Sequence, residues 1–202
     1  AWRKNSVSKR SINAEKETML RITPRYLTLA LSASLAACAA PQDFSFDFVE
    51  ASIADIQSAI VQGDFTCHEI VAGYIERIEA YDKSRNINAI TQINSKALEK
   101  AYAVDAAVRR NEVMPELFCA PVLIKDNFDT HDMVTTGGSI ALLDSFPPDD
   151  AFMVRKLREA GAIVLAKTNM AEWAFSPRET VSSSYGRTAN AYDADFVPAG
   201  SS

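Results

Sequence analysis

At 202 residues, 48% hydrophobic and 23% charged, the chain is long enough for one domain with a real core and has the make-up of a globular protein. A net charge of −5 provides no basic stripe for a polyanion, which argues against nucleic acid as a partner. Its two histidines (His68, His131) and three cysteines (Cys38, Cys67, Cys119) match no recognised zinc spacing, and so few histidines weaken any Ser-His-Asp scheme.

Residues 1–18 are polar and basic and read as an upstream extension that is not native, with a basic N-terminal arm as the alternative. Residues 19–40 read as a signal peptide: arginines at 21 and 25, a short apolar run from Tyr26, then small residues. The run is too short and too rich in Ala and Ser for a permanent membrane span. Leu35-Ala-Ala-Cys38 is similar to a bacterial lipobox, so the reading favours a lipidated Cys38 and membrane attachment over a plain cut near Ala39 or Ala40. Either route exports the protein to the periplasm or the extracellular space. There Cys67 and Cys119 meet an oxidising environment, although each reads as a packed apolar cysteine.

In the body of the chain, residues 52–61 carry apolar positions 53, 56 and 60 behind a serine, a capped helix stopped by Gly63. Thr66-Cys-His-Glu69 is a capping box opening a helix whose apolar face is Ile70, Val71, Tyr74, Ile75 and Ile78. His68 falls in its first turn and reads as a surface residue. Residues 87–93 suggest a strand and residues 95–110 a third helix.

Pro121-Val-Leu-Ile-Lys125 then reads as a buried strand ending in a lysine. Desolvation disfavours an ammonium, and a neutral lysine is a competent general base, so this segment points to chemistry. Taken alone, the lysine could equally snorkel to solvent. Asp126 beside it reads as a tuner of the lysine or as a hydrogen-bond acceptor. Thr135-Thr-Gly-Gly-Ser139 is a loop whose glycines permit close backbone approach. Asp149 and Asp150 open a helix that ends at Gly161, and residues 162–166 form a short apolar strand followed by Lys167. Strand, helix, strand in this order predicts a βαβ unit with parallel pairing. Ser182-Ser-Ser184 is either a polar loop or part of the site. The chain closes on Pro198-Ala-Gly200-Ser201-Ser202, a turn offering two hydroxyls.

Together these segments, with Lys167-Thr-Asn169-Met-Ala-Glu172-Trp173 and Tyr185-Gly186, resemble the amidase signature family of serine hydrolases. The likeness runs from about residue 51 to the end. It implies an α/β fold, a mixed central β-sheet flanked by α-helices, with residues 41–202 as the N-terminal part of the amidase domain. It implies a Ser-Ser-Lys triad in which Lys125 is the general base and Ser201 the bridging serine, held through a cis peptide bond. The nucleophilic serine stands in a second Gly/Ser-rich turn beyond Ser202, so the 202-residue product alone is expected to be inactive and poorly stable.

The resemblance also makes Ala174, Phe175 and Ser176 substrate-channel residues, brings residues 182–184 close to the triad, and leaves Lys167 structural. It implies hydrolysis of a small or lipophilic amide through an acyl-serine, with no cofactor and no metal. The alternatives are a non-catalytic scaffold of the same fold and the glutaminase subunit of a tRNA-dependent amidotransferase; the signal argues against the latter. Two positions depart from the family pattern. Ala199 replaces a glycine, and Leu117-Phe-Cys-Ala-Pro121 replaces a Leu-x-Gly-x-Pro lead-in.

Overall fold

The computed structural model describes residues 45–198 and 200. The expected extension at 1–18, the signal at 19–40, Cys38, Ala199 and Ser201 with its cis bond lie outside the described residues.

Two capping boxes start the first two helices. In α1 (Ile53–Gln62) Ser52 accepts from Asp55 N, and the Asp55 carboxylate accepts from Ser52 N. In α2 (Cys67–Tyr81) Thr66 and Glu69 exchange the same pair of bonds, which satisfies donors a helix start leaves open. Gly63 ends α1 in the left-handed region, as expected. A further cap comes from outside the helix. Buried Asp105, in α3 (Ala97–Arg109), accepts from the backbone N–H groups of Cys67 and His68, locking α3 across the start of α2.

The predicted βαβ unit is present. β2 (Pro121–Lys125) pairs parallel with β3 (Ile163–Thr168), and α4 (Phe152–Glu159) connects them. β1 (Ile90–Ile93) adds antiparallel to the other edge, giving the order β1-β3-β2. A separate hairpin joins β4 (Thr180–Ser182) to β5 (Gly186–Thr188). β3 is central and buried. Its Ile163 and Leu165 pack against α1, α2 and α3, while Val164 packs with Ile124, Met133 and Val154 of α4. Helices thus cover both faces of the sheet, the arrangement that parallel pairing requires.

Four local readings change. The strand expected at 87–93 begins only at Ile90, because the Asp82 carboxylate engages the N–H groups of Ala89 and Ile90 in a turn. The helix expected from Asp149 begins at Phe152, because Asp150 turns away to bind His131 and Arg158. β2 is an edge strand among the described residues and is not buried throughout, with Leu123 half exposed. The fourth change concerns the cysteines, which are not independently packed. Cys67 and Cys119 form a buried disulfide across 52 residues, tying the first turn of α2 to the approach of β2. Cys119 has φ +57, so it holds the left-handed conformation that glycine adopts without cost. The residue that replaces the lead-in glycine thus keeps a conformation open to glycine, and its side chain is spent on a cross-link.

Candidate active site

The candidate site forms where β2 and β3 end and their following loops meet. Lys125 closes β2 and is half-buried; among the described residues no group hydrogen-bonds its ammonium. The chain then turns at once, with Phe128 N donating to Lys125 O. Asp126, almost fully buried, faces the glycine loop. Its carboxylate accepts from Thr136 N at 3.2 Å and from the Thr136 hydroxyl, and its backbone carbonyl accepts from Gly137 N. Of the two readings of Asp126, the acceptor role is the one its contacts display.

The glycine loop behaves as its composition predicts. Gly138 has φ +78, and a Cβ there would stand 2.9 Å from the Glu172 Cα. Only glycine lets this loop lie against the segment after β3. Gly137 O and Gly138 O accept from Trp173 N and Ser184 N, so the loop is bonded on both sides. The serine run is not a free polar loop. Ser182 ends β4 and donates to Asn169 Oδ1, Ser183 Oγ accepts from Ile140 N, and Ser184 Oγ lies 3.4 Å from the Thr136 hydroxyl. Hydrogen bonds from the Ser183 and Ser139 hydroxyls hold the Glu172 carboxyl below the usual carboxylate range. Burial pushes the Tyr185 phenol up, and the Asp126 charge adds to it.

Lys167, expected from the sequence to be structural, is the fully buried lysine beside the site. It sits on buried β3 and is itself 0% exposed. Its ammonium donates to Phe128 O at 2.6 Å and to Thr135 Oγ1 at 2.9 Å, and lies 3.8 Å from Asp126 Oδ1. Burial pulls its pKa down to about 8, opposed by the negative charges of Asp126, Asp129, Asp132 and Asp150. The available signal was a lysine inside a six-residue strand of otherwise apolar character, which needs buried partners.

The three channel candidates separate. Ala174 lines a cleft of about 320 Å³ with Asn127, Asp129, Leu142, Met170 and Trp173. Phe175 is 92% exposed, and Ser176 Oγ accepts from Arg178 N and Glu179 N as a turn cap. Trp173 and Ala174 both hold positive φ, which sets this wall of the cleft in a sharp turn. At the end of the described chain, Gly200 packs its backbone against the same segment. A Cβ there would stand 2.4 Å from Ser176 O, and Gly200 O accepts from Thr180 Oγ1. Gly200, the residue before Ser201, thus lies beside the proposed channel wall.

Among the described residues one cluster has metal-ligand types, His131, Asp132 and Asp150. Arg158 already bridges both carboxylates, Nη2 to Asp132 at 2.7 Å and Nε to Asp150 at 3.0 Å, and His131 Nδ1 lies 2.9 Å from Asp150. Arg158 holds one oxygen of each carboxylate in an ion network, so this donor set is already engaged by the protein.

Comparison with known proteins places the chain among relatives of one family. A family model described as Amidase matches residues 69–202. A Glutamyl-tRNA(Gln) amidotransferase subunit from Alkaliphilus metalliredigens is 43% identical over 154 residues, covering 76% of this chain and 31% of that protein. The solved peptide amidase of Stenotrophomonas maltophilia is 36% identical with a TM-score of 0.71, over 76% of this chain and 32% of that one. A bacterial aryl acylamidase described as an amidase signature enzyme is 26% identical with a TM-score of 0.69, over 75% and 31%. The chain spans about a third of the length of these relatives. The match covers the Lys125 strand, the glycine loop, the βαβ unit and the closing Gly-Ser-Ser sequence, and the chain belongs to the amidase family.

Proposed function

We propose that the whole protein is an exported amidase that hydrolyses small or lipophilic amides through an acyl-serine, and that this chain carries its base and its bridging serine. A serine hydroxyl attacks an amide carbonyl poorly until a base takes its proton. Lys125 takes that proton through Ser201, from a nucleophilic serine supplied by the rest of the polypeptide, and returns it to the leaving amine. Water then repeats the cycle on the acyl-serine and releases the carboxylate. Ala174 and Trp173, with Leu142 and Met170, offer the amide an apolar wall, and Phe175 and Ser176 are assigned to the same channel by the family resemblance. No step calls for a cofactor or a metal.

The observation that carries the reading is the placement of Lys125. It ends a strand whose following turn is fastened to the glycine loop, in a chain whose family match extends to Ser201. Export draws support from the signal pattern at 19–40, which is membrane-anchoring if Cys38 is lipidated, and from the Cys67–Cys119 disulfide, a bond that persists in oxidising compartments. The full-length protein, purified alone, should release amine and carboxylate from simple amides. Failure to do so with every amide tested would defeat the proposal.

A second reading is favoured by one observation, the 43% identity to an amidotransferase subunit. In that reading the same site hydrolyses glutamine and passes ammonia on. Activity that appears only with partner subunits and aminoacyl-tRNA would establish it.

A further inference from the structure

We propose that Lys167 is a positioning residue: its ammonium clasps the turn that follows Lys125 to the glycine loop, and so sets the geometry in which Lys125 works. The proposal rests on the reading of Lys125 as the base and deepens it.

Three contacts from one nitrogen carry the inference. Phe128 O belongs to the turn after Lys125, Thr135 Oγ1 belongs to the glycine loop, and Asp126 is the residue next to Lys125 itself. Asp126 is in turn bonded to Thr136 by both its carboxylate oxygens, and Gly138 N donates to the Thr136 hydroxyl. A continuous chain of contacts therefore runs from Lys167 through Asp126 and Thr136 to Gly138. The clasp is anchored on β3, the most buried strand, so it is rigid at its root. A purely structural role could be met by an apolar side chain of similar length, which would avoid the desolvation of an ammonium. What an apolar chain could not do is hold two separate loops by directed hydrogen bonds at one point.

Lys167 does not share a face of the sheet with Lys125. Its register partner on β2 is Ile124, one residue before Lys125, and its donors are engaged by Phe128 and Thr135. It acts through the loops alone. The carboxylates of Asp126, Asp129, Asp132 and Asp150 act on it, of which Asp132 and Asp150 are shared with Arg158, and Asp150 also with His131. With a pKa of about 8, Lys167 loses its charge within the working range of an alkaline assay, and the clasp weakens there.

The test uses the full-length protein and a rhodamine-tagged fluorophosphonate, which reports the reactivity of the nucleophilic serine without a known substrate. The double variant Lys167→Met/Asp126→Asn removes the clasp and its buried ion pair together. Its labelling rate at saturating probe should fall on the order of 10- to 100-fold, the scale of a small misplacement of a reacting group. Asn127, Asp129, Thr135 and Gly137 of the two clasped loops also line the cleft, so the half-saturating probe concentration should rise as well, and the pH profile is the readout that a merely structural loss would not move. Lys167→Arg, which keeps its charge at every pH, should hold its labelling rate above pH 8 where the wild type declines. Wild-type labelling and a wild-type pH profile in the double variant would overturn the clasp. Should the double variant not fold, an unchanged alkaline limb in Lys167→Arg would overturn it instead. Lys125→Ala, run in parallel, separates the two ideas. Undiminished labelling of Lys125→Ala defeats the reading of Lys125, whereas a slow Lys125→Ala beside a fast double variant defeats the clasp alone.

Discussion

Lys125 and Lys167 sit one step out of register on neighbouring parallel strands, Lys125 opposite Thr168 and Lys167 opposite Ile124. Side chains alternate along a strand, so the two lysines leave opposite faces of the sheet. One face delivers Lys167 into a closed set of hydrogen bonds. The other leaves the Lys125 ammonium without a partner among the described residues. Two lysines in similar strand-end contexts thus receive different surroundings, on which the different roles proposed for them rest.

The disulfide is predicted to be a main support of the domain. Closing a loop across 52 residues should stabilise it by about 4 kcal/mol on chain-entropy grounds, with roughly 2–5 kcal/mol as the general range for native bonds. Equilibrium urea unfolding of Cys67→Ala/Cys119→Ala should show a loss in that range. Cys67→Ala/Cys119→Gly should be less damaged by about 0.5–1 kcal/mol, because φ +57 at residue 119 suits glycine. Equal losses would mean that the left-handed backbone at 119 carries no strain.

Gly138→Ala should impair both stability and function, because its Cβ would meet backbone at 2.9 Å and cannot be relieved by a rotating side chain. We expect a loss of about 2–3 kcal/mol, together with a broken contact between the glycine loop and Glu172. Gly63→Ala, also at positive φ but with nothing within 4 Å, should cost only about 1 kcal/mol and leave activity intact. Parallel thermal melts and labelling assays distinguish the two.

Asp105→Ala should cost about 2–3 kcal/mol, since it strips the buried Cys67 N–H and the half-buried His68 N–H at the start of α2 of their acceptor. Asp105→Asn, which keeps an acceptor oxygen, should recover about half of that. Urea midpoints of the three proteins measure it.

How much of this was legible in advance divides along physical lines. The helices α1 and α2 could be read because their signals are local: a serine or threonine, an acid three residues on, then apolar spacing. The βαβ unit could be read for the same reason, from an apolar run, a short helix and a second run. Asp105, Asp82 and Asp150 could not, because each caps or binds a segment distant or turned away from its own element. The Cys67–Cys119 bond had one trace, a cysteine standing where the family pattern has glycine. Lys125 drew attention as the lysine after an apolar strand, but the buried strand and the buried lysine are β3 and Lys167.

Stability should respond to pH through Lys167 in a definite direction. Its folded pKa of about 8 lies below the ordinary 10.5, so between these values the unfolded chain holds more protons than the folded one. Stability contributed at this site therefore rises with pH from about 8 to about 10.5. Urea unfolding of the wild type against Lys167→Met/Asp126→Asn should show the difference moving in favour of the wild type over that window. A flat difference would mean that Lys167 is not desolvated in solution.

The most direct test of the account is Lys125→Ala in the full-length protein. Turnover of an amide, or labelling of the nucleophilic serine, should fall about 10²- to 10⁴-fold at neutral pH, the range expected for losing a general base. Circular dichroism and the unfolding midpoint should stay close to wild type, because the half-buried ammonium holds no described partner. Turnover retained near the wild-type level in a folded Lys125→Ala protein would contradict the assignment.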